Sequence, residues 1–138
     1  WWNLTKPLPG YFQYEMDLDD GSKEKFKVFI SEDDFNITFP NLNYPIDSIV
    51  INTTSPNFEY DYSSTADKAY LRIEEKNSEG EWDRKDWILV SSNSTYKIES
   101  GVLKRGKDYR WTMQPVFKTK VFPWIEAKAP YKYFSIAK

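Results

Sequence analysis

Apolar side chains return at every second position in several stretches of this chain, and a period of two belongs to half-buried strands, not to helices. Tyr14, Met16 and Leu18 alternate up to Asp19-Asp20-Gly21-Ser22, and Phe26, Val28 and Ile30 alternate away from it. That is the pattern of a β-hairpin around an Asp-Gly type of turn. Phe35, Ile37 and Phe39 predict a further short strand, and the stretch from Pro40 to Pro45 closes an N-terminal block of residues 1–43. Later, Leu103-Lys-Arg-Gly-Lys-Asp-Tyr109-Arg-Trp111 joins a turn to a strand entry: Gly106 supplies the positive φ of a tight turn. Tyr109, Trp111 and Met113 then share one face, and Arg110, Thr112 and Gln114 share the other. The first face is expected to be core and the second solvated, so Arg110 is expected to be dispensable for stability.

Residues 64–76 support two readings. A Thr65 cap and an Ala66, Ala69, Tyr70, Ile73 stripe suit a helix. As a strand, Ala69, Leu71 and Ile73 face inward and Tyr70 and Arg72 outward, and Asn77-Ser-Glu-Gly80 turns the chain back to Trp82. The strand is favoured because a lone helix would leave the strand from Trp87 to Val90 without a partner.

Six residues separate Leu103 from Tyr109, the spacing of a tyrosine corner, where the Tyr hydroxyl bonds back to backbone a few residues upstream. Around it stand Pro45, Ile51, Pro56-Asn-Phe58-Glu-Tyr60, Ala69-Tyr-Leu71-Arg-Ile73, Trp82, Trp87, Tyr96-x-Ile98 and Tyr133-Phe134-Ser-Ile136. In that order they resemble the fibronectin type III-like, immunoglobulin-like module of bacterial surface proteins and lipoproteins, over residues of about 44–138. The resemblance implies an all-β, antiparallel β-sandwich. Phe58, Tyr60 and Tyr62 would lie on its strand B, Leu71 and Ile73 on C, Tyr96 and Ile98 on E, Tyr109 and Trp111 on F, and Phe134 and Ile136 on G. Residues 1–43 have no counterpart in the family. They are expected to form an additional N-terminal β-hairpin that packs on the sandwich of residues 44–138, because a solitary hairpin is not stable in water.

Composition narrows the chemistry. The 138 residues include no cysteine, which removes disulfides, thiolate metal sites and Cys nucleophiles. They include no histidine either, the commonest general base and metal ligand. No catalytic, cofactor-binding or metal residue is therefore assigned, and a non-enzymatic role is expected. Asp17-x-Asp19-Asp20-Gly21 looks like the opening of a calcium loop but lacks the ligand spacing and the closing Glu. No spacing among the 21 acids singles out a glycosidase pair. No apolar run approaches the roughly 18 residues of a membrane span, so no transmembrane segment is expected. Asn3, Asn36, Asn52 and Asn93 stand in N-x-Ser/Thr sequons, which are either glycan acceptors or Thr-rich strand ends.

Charge divides along the chain: residues 1–83 hold 17 acids and 7 bases, residues 84–138 hold 4 acids and 12 bases. With a pI of about 5.3, nucleic acid is a poor partner. Opposite charges can pair across strands within the sandwich, or the module can dock head to tail through a basic patch of Lys104, Arg105, Lys107, Lys118 and Lys120. The expected function is a non-enzymatic interaction or structural module, extracellular or at a bacterial cell surface, secreted or lipid-anchored. It would be part of a larger protein or complex, with a protein partner or a neighbouring domain. The alternative is a carbohydrate-binding module, prompted by 25 aromatic residues among the 138. Its platform would use Trp1, Trp2, Trp82, Trp124 and Trp87, with Tyr11, Tyr131 and Tyr133 as companions. Coplanar exposed rings would favour sugar; rings packed in the core would favour the structural role.

Overall fold

The computed structural model describes residues 10–30, 38–91, 94–118 and 125–138, and these residues are all-β, with no helix among them. Their strands are β1 (Gly10–Asp17), β2 (Lys23–Ile30), β3 (Asn41–Tyr44), β4 (Ile49–Ile51), β5 (Asn57–Asp61), β6 (Lys68–Lys76), β7 (Trp82–Leu89), β8 (Thr95–Lys97), β9 (Asp108–Phe117), β10 (Ile125–Glu126) and β11 (Lys132–Ile136). Accordingly, no helix among the described residues is long and apolar enough to cross a membrane.

The hairpin forms as its turn chemistry predicts. β1 and β2 pair antiparallel from Gly10↔Ile30 to Asp17↔Lys23 and make a two-stranded sheet of their own. Gly21 takes φ 80°, and the Asp20 carboxylate accepts the Ser22 N–H at 2.9 Å and its hydroxyl at 2.6 Å. The short strand expected at Phe35 to Phe39 fares differently. Phe35 and Ile37 lie outside the described residues, and Phe39 is exposed and belongs to no strand.

Two further sheets, antiparallel in all but one pairing, build a sandwich-like body. The larger runs β4-β11-β9-β6-β7, with β10 also on β9, and the smaller runs β3-β5-β8. The smaller sheet begins inside the Pro40 to Pro45 stretch, where Asn41 and Leu42 pair with Asp61 and Tyr60 of β5. That stretch is a paired strand, not merely the end of an N-terminal block. Between β3 and β4 the chain changes sheets. Ser48 turns it with φ 64°, a conformation that costs a non-glycine residue about 1–2 kcal/mol, and its N–H donates to the Tyr133 carbonyl at 2.7 Å. The Tyr133 N–H in turn donates to Asp47 Oδ1 at 2.9 Å. β4 then runs parallel to β11, with Phe134 opposite Ile49 and Ile136 opposite Ile51.

The core lies where the inward faces of β5 and β8 meet those of β6, β9 and β11. Phe58, Tyr60, Ile98, Leu71, Ile73, Tyr109, Trp111, Met113, Phe134 and Ile136 are all buried there. Trp111 is its centre: the Phe58 ring meets its edge at 5.0 Å, and its indole N–H donates to the Pro45 carbonyl at 3.0 Å, the partner a buried indole requires. Residues 68–76 are strand, not helix, because Lys68 to Glu75 pair with β9 on one side and Tyr70 to Lys76 with β7 on the other. Two ladders outweigh the helical propensity of Ala66 to Lys76, since backbone pairing and burial of Ala69, Leu71 and Ile73 are satisfied together.

Candidate interaction face

With Ala69, Leu71 and Ile73 in the core, alternation turns Tyr70, Arg72, Glu74 and Lys76 to the outer face of the larger sheet. The ladders bring their neighbours alongside. Arg110 lies opposite Glu74 on β9; Leu89, Trp87, Arg84 and Trp82 lie opposite Tyr70, Arg72, Glu74 and Lys76 on β7; Tyr133 lies opposite Arg110 on β11. Arg84 and Trp87 are three apart and would face opposite ways in a regular strand. The register shift between Ile73 and Glu74 adds one residue to β7 there and puts both on the outer face.

Glu74 is the pivot of this face, only 1% exposed although it points away from the core. Arg110 Nε pairs with its Oε2, an Arg72 amino group lies 2.5 Å from its Oε1, and the Tyr131 hydroxyl donates to Oε1 at 3.2 Å. Burial pushes the Glu74 carboxyl up, but the Arg110 hydrogen bond and the Arg72 and Arg110 charges outweigh it and hold the group below the ordinary glutamate range. The same charges act on Lys128, whose amine is pushed down first by burial and then by Arg72 and Arg110. Arg72 Nε is buried with no hydrogen-bond partner.

Around Glu74 cations and rings alternate in a stack. Lys76 lies over Trp82 at 6.0 Å, Arg110 lies over Trp82 at 4.8 Å and over Tyr131 at 4.1 Å, and Lys128 lies over Tyr131 at 4.3 Å. Each contact of this kind contributes about 0.5–2 kcal/mol, more where the cation is desolvated. Tyr133 meets the edge of Trp82 at 5.6 Å. A second group stands beside the first: Tyr70 and Trp87 are 4.8 Å apart, and Arg84 lies 5.5 Å over Trp87. The outermost apolar surface is Trp87 at 46% exposure, Tyr133 at 42% and Leu89 at 60%.

Among the described residues β7 is the last strand of the larger sheet, and its outer edge is blunted. Asp86 Oδ1 takes the Trp87 N–H at 2.9 Å, and Asp83, Arg84, Lys85 and Asp86 run along the strand beside the bulge. Charge and a bulge are the standard obstacles to strand addition.

Of the residues singled out by sequence, Trp82 and Trp87 sit on this face together with Tyr131 and Tyr133. Their rings are not coplanar: Trp82 and Tyr133 stand at 62° and Tyr70 and Trp87 at 39°. Trp1, Trp2, Trp124, Lys120 and the Tyr11 side chain lie outside the described residues. The described members of the basic set lie at two places. Lys104, Arg105 and Lys107 occupy the turn before β9, while Lys118 follows its far end, roughly 30 Å away at strand rise. Lys118 pairs there with Asp67 at 3.2 Å. Cross-strand pairing does account for part of the charge split, since Glu75–Lys85, Glu74–Arg110 and Asp67–Lys118 each join an acid of residues 1–83 to a base of residues 84–138. The sequence reading places Arg72 and Arg110 on outer faces without a role there, and does not single out Glu74 or Arg84. The signal was there: Glu74 and Arg110 carry opposite charges on the outward phases of two strands. Comparison with known protein families, with curated proteins and with solved structures found no match.

Proposed function

We propose that this chain is an immunoglobulin-like module of the fibronectin type III kind that binds a protein partner or neighbouring domain, at a cell surface or outside the cell. The fold type is supported by the strand order in two sheets and by the Tyr109 hydroxyl, which accepts the Lys104 N–H of the turn before its strand. The location rests on the family resemblance alone. Binding rather than catalysis is supported by the state of Glu74, whose carboxylate is committed to Arg72 and Arg110. The observation that carries the reading is the grouping of Trp82, Trp87, Tyr133, Arg72, Arg84 and Arg110 on one face. Trp, Tyr and Arg are the side chains on which interface energy concentrates.

The exposed indole of Trp87 sustains the second reading, a carbohydrate-binding module. The tilt between neighbouring rings counts against it, because a sugar platform wants coplanar faces. The test is a photo-crosslinking residue at Leu89, on the face, compared with one at Asn57, exposed on the smaller sheet. A protein captured from the native source at position 89 and not at 57 is the expected result. Equal capture at both sites defeats the reading. Binding in a glycan screen that is lost with Trp87→Ala transfers it to the carbohydrate alternative.

A further inference from the structure

We infer that the outer face around Trp87 receives the acidic hairpin tip of a second copy of this chain, so that modules join head to tail. The inference rests on the reading of this face as an interaction surface. It starts from charges left unmatched at two places. On the face, Lys76 and Arg84 lie over Trp82 and Trp87, and no ion pair among the described residues gives either a carboxylate. At the hairpin tip, Asp19, Asp20 and Glu24 are exposed, and among the described residues no ion pair takes any of them. The nearby Lys23 and Lys25 are turned instead to Glu15 and Asp17.

The shapes agree with the charges. Every residue from Asp19 to Lys25 is exposed, and the turn is closed on itself, with the Leu18 N–H donating to the Ser22 carbonyl at 2.9 Å. Such a tip is narrow and acidic, with the half-buried Leu18 at its root. The face opposite offers Arg84 over the exposed Trp87 indole with Leu89 next on the strand, and Lys76 over the half-buried Trp82 further along. Because the two surfaces differ, the contact is heterologous and repeats from copy to copy instead of closing a two-fold dimer. Strand addition at β7 is obstructed, so the tip must lie on side chains, and charge sets its affinity and its salt dependence.

Sedimentation of the full chain over a concentration series, at low and at high salt, tests this. Species larger than a monomer are expected at low salt and should vanish at high salt. Lys76→Glu with Arg84→Glu, or Asp19→Lys with Glu24→Lys, should each weaken association at least about tenfold. An equimolar mixture of the two variants should restore it, because one reversed face then meets one reversed tip. Asp20 is kept so that the turn stays closed, and circular dichroism verifies the fold of each variant. Association that ignores the reversals, or a mixture that fails to restore it, overturns the inference. A chain that stays monomeric is titrated with poly-L-glutamate while its Trp82 and Trp87 indole NMR signals are followed. Moving signals overturn only the second copy as occupant, and unmoved signals overturn the interaction face as well.

Discussion

The Lys104 N–H donates to the Tyr109 hydroxyl oxygen at 2.8 Å, and that hydroxyl passes its own proton toward Glu75 Oε2 at 3.1 Å. One phenol thus ties the turn before β9 to the neighbouring strand β6. Tyr109→Phe leaves a backbone donor and a half-buried carboxylate short of one partner each, so a loss of about 1–3 kcal/mol is expected. Chemical denaturation measures it; a loss within about 0.5 kcal/mol would mean that water replaces the phenol without cost.

Arg110→Ala removes a guanidinium held by Glu74, Trp82 and Tyr131 together. Breaking a fully buried pair costs about 3–5 kcal/mol. Arg110 keeps about a fifth of its side chain in solvent and Arg72 stays beside Glu74, so about 2 kcal/mol is expected. Lys104→Ala, on the exposed turn, is the control and should change stability by less than about 0.5 kcal/mol.

Acid should unfold the protein through Glu74 and Glu75. Burial pushes both carboxyls up, but Arg110 at Glu74 and Lys85 at Glu75 lead the interactions that bring both below the ordinary value of 4.5. Below that value the unfolded chain binds more protons than the folded one, so stability falls as pH falls. The contribution is complete above the ordinary glutamate range and is lost as pH drops through the folded-state values. Melting temperatures measured downward from neutral pH should decline in that window, and Glu74→Gln should flatten the decline while lowering the neutral-pH value. An unchanged slope in the variant would remove Glu74 from the acid transition.

Tryptophans on the two faces of the larger sheet should respond differently. Trp111→Ala opens a cavity in the centre of the core and leaves the Pro45 carbonyl without its donor, so a loss of about 3–5 kcal/mol is expected. Trp87→Ala removes a half-exposed ring and should cost less than about 1 kcal/mol. Urea denaturation compares them, and equal losses would contradict the assignment of Trp87 to an outer surface.

Residues whose burial follows from alternation were legible before the fold was known. Phe58 and Tyr60, Leu71 and Ile73, Tyr109 and Trp111, Phe134 and Ile136 were placed in strands and are buried. Asp19-Asp20-Gly21-Ser22 was legible for a different reason, since only a few residue types suit such a turn. The outer face was not, because three long-range facts create it. Glu74 and Arg110 are 36 positions apart and meet only through the β6–β9 register. Trp87 joins Arg84 only through a bulge that no local pattern announces. The aromatic stack needs Tyr131, which arrives from the far side of β9. Lys104 and Lys118 show the converse: close in sequence, they are parted by a fully extended strand.

The position of β11 bears on how the molecule is made. It is the last of the sandwich strands to be synthesised, yet it lies inside the larger sheet, between β4 and β9. Until it arrives, β4 has no neighbour and β9 shows an open flank, so a nascent chain cannot close this body strand by strand as it emerges from the ribosome. The joining of residues near 50 to residues near 135 waits for β11 and is a long-range pairing, which makes for slow folding. During that interval the unfinished sheet presents bare backbone to its surroundings, an open edge prone to aggregation until β11 docks.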